Sequence, residues 1–263
     1  MTKLALVTGA SSGIGKEIAR ELYRRQYSLL LVSRREDKLE QVKTELLGAF
    51  DCDAQQKILL HCADLSTETG IDSVFECTKA NHLGIDVLVN NAGVALYGPA
   101  EKNNSTALER MLTLNTFAMS AFCQHYGALM KERAAGYILN IASLAAYQPV
   151  PYIAAYAASK SYVLHYSEAL AMEFAGSGVS VSCYSPGHTD TAFYHEAKIP
   201  DDHRFYHPST RVLAAPVAKA AVRALFAKKL STVHGVKNKV LSALNKFAPR
   251  RVTARISRSL VKV

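Results

Sequence analysis

The sequence predicts a single α/β domain, doubly wound, with a central parallel sheet of about seven strands and helices on both faces. Three observations carry that prediction. Strand-sized apolar runs alternate with helix-period patterns along most of the 263 residues. The runs are nearly continuous, as in Val87-Leu88-Val89, which suits strands covered on both faces. No internal repeat, low-complexity stretch or Ser/Gly/Pro linker marks a second domain.

The elements follow in order. Strands fit at Leu4–Thr8, Ser28–Ser33, Lys57–His61, Asp86–Asn90, Tyr137–Ala142 and Val179–Tyr184. Ile14, Ile18 and Leu22 repeat at helical spacing after a glycine turn, and Leu39, Val42, Leu46 and Leu47 repeat similarly. Long helices are expected over 105–133 and 152–175. Right-handed crossovers connect such parallel strands. Residues 1–235 read as the body of the domain, with a long loop over about 188–211. Residues 236–263 read as a basic amphipathic extension of the same domain.

Composition narrows the class. With 49% hydrophobic and 20% charged residues, the chain is neither disordered nor a fibre. Its five cysteines (52, 62, 77, 123 and 183) form no CxxC pair and read as free thiols of a reducing compartment. No apolar run approaches the ~18 residues of a membrane span. Met1-Thr2-Lys3 leads straight into Leu4-Ala5-Leu6-Val7 without a signal-peptide pattern, so a cytoplasmic location is expected. The charge is uneven: residues 203–263 hold 14 Lys/Arg and no acid, whereas residues 1–202 hold 17 Lys/Arg against 22 Asp/Glu.

Chemistry begins at Thr8-Gly9-Ala10-Ser11-Ser12-Gly13-Ile14-Gly15, between the first strand and the first helix. Glycines at 9, 13 and 15 let the backbone turn sharply and approach a pyrophosphate. The helix N-terminus offers that anion unpaired N–H groups, and Ser11 and Ser12 add hydroxyls. The spacing is GxxxGxG, and its strand–turn–helix setting gives it weight as a Rossmann-type dinucleotide turn. A site that reads a free ribose 2′-OH carries Asp or Glu after the second strand. Here that place reads Ser33-Arg34-Arg35. A hydroxyl and two guanidinium groups suit a 2′-phosphate, so NADP(H) is preferred over NAD(H).

With these motifs in view, residues 3–230 resemble the short-chain dehydrogenase/reductase family. Thr8–Gly15 resembles its TGxxxGIG, and Asn90-Asn91-Ala92-Gly93 its NNAG. Asn115, Ser143 and the YxxxK of Tyr156 and Lys160 resemble its catalytic tetrad. Asp64, ahead of Leu65, resembles the acid at the adenine end, and Pro186-Gly187 with Thr191 its PGxxxT. The resemblance implies cofactor contacts from Gly9, Ser11, Ser12, Gly13, Ile14 and Gly15, from Ser33, Arg34 and Arg35, and from Asp64 and Leu65. It implies further contacts from Asn91, Ala92 and Gly93, from Tyr156 and Lys160, and from Pro186, Gly187, Thr189 and Thr191. Asn90 reads as a brace between strands. The C-terminal part is similar to a bacterial-type group near the hydroxysteroid and 3-ketoacyl reductases.

The residues also argue for themselves. Tyr156 and Lys160 are four apart and share a helix face. A neighbouring ammonium is expected to pull the phenol from its usual value near 10 toward the working range. Ser143 follows a strand and can hydrogen-bond a carbonyl oxygen. The resemblance implies that Tyr156 gives the proton, that Lys160 also holds the nicotinamide ribose, and that Asn115 holds a water linking Lys160 to solvent.

The substrate pocket is expected from Leu96, Leu144, Tyr147, Tyr152, Phe193 and Tyr194, an apolar and aromatic set that suits a hydrophobic ketone or aldehyde. His203 and His207 have the spacing of a helical metal pair, but Pro208 follows at once and no metal is expected. The tail carries two apolar stripes, Val240, Leu241, Leu244 and Phe247, then Val252, Ile256, Leu260 and Val263, with arginines between. A helix docked on its own domain or on a partner subunit is preferred there over a membrane contact, and no specific nucleic acid is expected. Homodimers or homotetramers are common in the family and expected here. The competing readings are a non-catalytic NADP(H) sensor and a membrane- or nucleic-acid-associated protein on the same fold.

Overall fold

A computed structural model describes residues 2–50, 55–200 and 211–261. Its strands are β1 (Leu4–Thr8), β2 (Ser28–Ser33), β3 (Ile58–Cys62), β4 (Ile85–Asn90), β5 (Gly136–Ile141), β6 (Val179–Ser185), β7 (Thr189–Asp190), β8 (Val212–Leu213) and β9 (Ser231–Val233). Seven of them form one parallel sheet in the order β3-β2-β1-β4-β5-β6-β9. The chain steps outward from β1 to β3 and then returns to the other side of β1 as β4. That reversal leaves a crevice at the carboxyl ends of β1 and β4, where open α/β sheets bind ligands. Strands β7 and β8 pair separately above it.

The helices are α1 (Gly13–Arg24), α2 (Glu36–Ala49), α3 (Glu68–Ala80), α4 (Ser105–Leu112), α5 (Ala118–Glu132), α6 (Ala154–Glu173), α7 (Phe193–Glu196), α8 (Ala214–Phe226), α9 (Val236–Phe247) and α10 (Arg250–Val261). Strand alternation splits the core into two layers. Ala5, Val7, Leu29 and Leu31 face α1, α2 and α8 through Ile18, Leu22, Leu39 and Val222. Leu4, Leu6, Leu30 and Leu88 face α3, α5 and α6 through Val74, Phe122 and Leu164. Each such fully buried Leu contributes about 1.5–3 kcal/mol. Asn90 braces the sheet by donating to Asn140 Oδ1 at 2.8 Å, and Asn140 donates to Ser167 Oγ of α6 at 2.9 Å.

Two expectations need correction. The helix over 105–133 is not continuous: a π-helical segment, Thr113–Phe117, separates α4 from α5 and carries the buried Asn115. Such insertions recur where a side chain must be re-aimed. Of the two dockings expected of the tail, on its own domain or on a partner subunit, the first is not made by the apolar stripes as a whole. Ser242, Thr253 and Ser257 are buried, while Val240, Leu241, Leu244, Phe247, Val252 and Ile256 are exposed. Val263 and the His203, Phe205, Tyr206 and His207 region lie outside the described residues, as does the side chain of Leu260.

Candidate active site

The site starts at the end of β1. Thr8 Oγ1 donates to Val89 O at 3.2 Å and accepts from the N–H groups of Asn91 and Ala92 at 3.0 and 3.1 Å. This latch holds the Asn91–Gly93 segment against the turn. Asn91 Nδ2 completes it by donating to the carbonyls of Thr8 and Gly9. Gly9 has φ 64° and Gly13 φ 55°, in the left-handed region that glycine adopts freely. A Cβ on Gly9 would lie 2.9 Å from Ala92 Cα, and one on Gly13 would lie 2.8 Å from Thr191 Cγ2. Gly15 serves a different need: a Cβ there would strike the Gly9 carbonyl. Ser12 caps α1 without a side-chain hydrogen bond, which leaves the first-turn N–H groups without that partner, and Ser12, Gly13 and Ile14 line the crevice.

Beyond β2, the hydroxyls of Ser33 and Ser11 join at 2.9 Å. Arg34 and Arg35 are exposed beside them, and Arg35 pairs with Glu196 of α7 at 3.5 Å. Asp64 turns elsewhere. It accepts from Ser66 N–H and Oγ at 3.1 and 2.7 Å and pairs with Arg110. Burial pushes its carboxyl up, but the Ser66 hydrogen bonds and the charges of Arg34 and Arg110 leave it below the ordinary carboxylate value. Its neighbours Ala63 and Leu65 line the crevice instead.

The residues expected to be catalytic converge at the other end. Asn115 Oδ1 accepts from Val94 N–H at 3.0 Å, while Nδ2 donates to Val94 O at 2.9 Å and Ser159 Oγ at 3.0 Å. Both ends of the amide are thereby fixed against the segment after β4 and against α6. Lys160 Nζ is buried and donates to Ile141 O at 2.8 Å. A Cβ at Gly93 would come within 3.3 Å of Nζ, so the space beside the ammonium exists because residue 93 is glycine. Ser143 Oγ accepts from Ala145 N–H at 3.1 Å, and its hydroxyl works against the effect of burial on Tyr156.

The titration of Tyr156 departs from expectation. Burial pushes its phenol up to about 12, opposed only by the Ser143 hydroxyl. Burial also lowers Lys160 to about 8. Desolvation therefore outweighs the attraction of the ammonium for a phenolate.

One cavity of about 380 Å³ joins the glycine turn to Tyr156 and Lys160. Ser11, Ser12, Gly13 and Ile14 line it at one end, Asn91 and Ala92 along its side, and Ser143 and Leu144 at the other end. Pro186, Gly187, Thr189 and Thr191 cover it from above. Of the expected substrate-pocket residues, Leu144, Phe193 and Tyr194 line it. Phe193 sits 5.3 Å from Tyr156 between ring centroids. Leu96 packs in the apolar cluster around Tyr156 without lining the cavity. Tyr147 lines a different cavity, and Tyr152, at φ 64°, sits beside Tyr97 with a centroid separation of 6.4 Å.

The structure adds residues that the sequence did not single out. His188 Nδ1 shares a hydrogen bond with the Tyr194 hydroxyl at 2.8 Å, and both border the cavity with Ile199. Position next to Pro186-Gly187 was the available signal for His188. Leu241 and Ser257 reach the cavity from α9 and α10, and Asn245 donates to Gln148 at 2.7 Å. Leu241 belongs to the first tail stripe, but nothing in the spacing marks it, Ser257 or Asn245 for these contacts.

Residues 3–201 match the profile of the short chain dehydrogenase family. The chain belongs to that family of oxidoreductases. Another member, dehydrogenase/reductase SDR family member 11 of Gallus gallus, is 34% identical over 197 residues, covering 73% of this chain and 76% of that protein. An SDR family protein 7-like dehydrogenase/reductase of Drosophila melanogaster is 32% identical over 192 residues, and this chain spans 58% of its length. Among solved structures, a short-chain dehydrogenase from Sphingobium yanoikuyae in complex with NADPH is 26% identical, with TM-score 0.82 over 93% of this chain and 94% of that one.

Proposed function

We propose that the protein is an NADP(H)-dependent reductase of a hydrophobic ketone or aldehyde, with Tyr156 as proton donor. The observation that carries this reading is the convergence of Ser143, Tyr156 and Lys160 at the apolar end of the cavity that begins at the glycine turn.

The residues present fit the dinucleotide. Gly9 and Gly13 leave the turn open to a pyrophosphate, and Gly93 leaves room beside Lys160 for a ribose. Arg34, Arg35 and Ser33 border the cavity where a 2′-phosphate would lie. The NADPH bound by the Sphingobium relative supports the same cofactor here. When bound, the nicotinamide supplies the hydride.

The chain supplies placement and the proton. Ser143, whose oxygen already accepts from Ala145, keeps its hydroxyl proton to donate to the substrate carbonyl oxygen. Tyr156 gives its phenolic proton to that oxygen as negative charge builds there. Lys160, anchored on Ile141 O, stabilises the phenolate that remains and has two further N–H bonds for a ribose and a water. Asn115 acts by holding Val94 and Ser159, which frame the Lys160 cradle. Val94, Ala95, Ile153, Phe193 and Ile199 line the substrate end and exclude water.

NADPH and NADH oxidation against aldehydes, quinones, aromatic ketones, steroids and 3-ketoacyl thioesters tests the reading. Turnover that prefers NADPH is expected. NADPH binding without oxidation by any carbonyl favours the sensing role. The helices α5 and α6 expose Leu129, Tyr162 and Met172, which supports pairing into a homodimer or homotetramer. Mass from light scattering tests that.

A further inference from the structure

The two tail helices present their side chains in an inverted order. Along α9 a stripe of exposed apolar residues runs through Val236, Val240, Leu244 and Phe247, spaced four, four and three apart on one face, with Phe247 87% and Leu244 60% exposed. Along α10 they are Val252 and Ile256, flanked by the exposed row Arg251, Arg255 and Arg258. The faces turned inward are hydroxylic: Ser242, Thr253 and Ser257, the last only 2% exposed. Burial of the hydroxyls and exposure of the aliphatic side chains is the reverse of what a helix shows when its only neighbour is its own domain.

We infer that α9 and α10 form a docking surface for an anionic phospholipid bilayer. Charge complementarity carries the choice of occupant. Residues 236–263 contain no Asp or Glu, and Lys237, Lys239, Arg250, Arg251, Arg255 and Arg258 are exposed beside the apolar stripe. A cationic row beside aliphatic and phenyl side chains, on helices that carry no acid, is the pattern that lies in a membrane interface. The apolar residues enter the acyl boundary and the guanidinium groups stay at the phosphates. Nucleic acid fits less well, because Val, Leu and Ile offer bases no stacking partner and Phe247 is the single aromatic of the tail. No described helix is long and apolar enough to cross a membrane, so the contact is with the bilayer surface.

The surface is continuous with the cavity. Leu241 is exposed beside the stripe and also lines the cavity, while Ser257 lines it from the inward side of α10. The bilayer therefore rests against a wall of the cavity that holds Tyr156. Docking itself does not depend on the reductase reading.

Flotation of the full chain tests the inference. Vesicles of phosphatidylcholine alone are compared with vesicles of phosphatidylcholine and phosphatidylglycerol, at low and high salt. Wild type floats with the anionic vesicles, less at high salt, and stays behind with the neutral ones. The double variant Leu244→Glu/Phe247→Glu loses flotation at an unchanged melting temperature, since both side chains are exposed. Arg251→Glu/Arg255→Glu weakens partitioning by about 30-fold or more, from about 1 kcal/mol per cation. Tyr156→Phe floats as wild type, which separates docking from turnover. Failure of wild type to float overturns the inference, as does flotation that both double variants retain. Light scattering that shows self-association abolished by Leu244→Glu/Phe247→Glu, without flotation of wild type, assigns the stripe to a second copy. A salt-sensitive shift of single-stranded DNA without flotation assigns the cations to nucleic acid.

Discussion

Lys160 Nζ lies 5.9 Å from the centroid of the Tyr156 ring, four residues along α6, and gives its hydrogen bond to the Ile141 carbonyl at 2.8 Å. Burial acts on the two groups in opposite directions, pushing Tyr156 up to about 12 and Lys160 down to about 8. The proposed reduction requires neutral Tyr156 as donor and cationic Lys160 beside the phenolate left behind. Both forms coexist below about 8. Reductive kcat/KM is therefore level at neutral pH and declines as pH rises through about 8, because Lys160 loses its charge while Tyr156 keeps its proton. A pH profile in the reductive direction checks this. A rate that climbs through that range would assign the limb to a different group.

At the adenine end, Ser33 is tied to Ser11, and the two arginines stand free of strong burial. If the cofactor is NADP(H) as proposed, Arg34→Ala removes charge-assisted contacts to its 2′-phosphate but none to a ribose hydroxyl. NADPH affinity should fall by about 10- to 100-fold, with NADH affinity little changed. Dissociation constants for both nucleotides decide it. Equal losses would place the phosphate contact elsewhere.

Arg35 and Glu196 connect the same end to α7, the helix that carries Phe193 and Tyr194. On the proposed NADP(H) reading, the 2′-phosphate competes with the Glu196 carboxylate for the Arg35 guanidinium. Glu196→Gln should then tighten NADPH binding modestly, by about 2- to 5-fold for an exposed pair, and leave NADH unaffected. Titration of both nucleotides against the variant reads the difference.

Thr8 shows how much of the site depends on one hydroxyl. It is buried and serves two N–H groups of the Asn91–Ala92 segment. Thr8→Val keeps the shape and orphans both donors, a loss of about 2–4 kcal/mol in unfolding free energy. Urea denaturation measures it, and a shift below about 1 kcal/mol would mean that the segment finds other partners.

The fold was legible where side-chain pattern and backbone demand coincide. β1, β2 and β4 are each built on an apolar run of three or four residues, and the glycines at 9, 13 and 15 mark their turn by chemistry that no other residue supplies. The seventh strand escaped because Ser231–Val233 is three residues long, lies at a sheet edge and has no apolar run. The break around Asn115 escaped because a π-turn leaves the apolar spacing of 105–133 almost intact. In the site, Tyr156, Lys160 and Ser143 stood out by spacing and position. Asp64 did not reveal its partners, since the Arg110 that takes its second oxygen is 46 residues away. The tail shows the limit of periodicity: it marks a stripe but not which side of the helix faces the protein, and here Ser257 rather than Ile256 faces in.

The central claim is that Tyr156 gives the proton while the rest of the site binds the nucleotide. Tyr156→Phe removes one oxygen from a cavity whose glycine turn, arginines and Lys160 stay in place. Turnover of any carbonyl that wild type reduces should fall by at least about 100-fold, with the NADPH dissociation constant within a few-fold of wild type. Wild-type turnover in Tyr156→Phe would contradict the account.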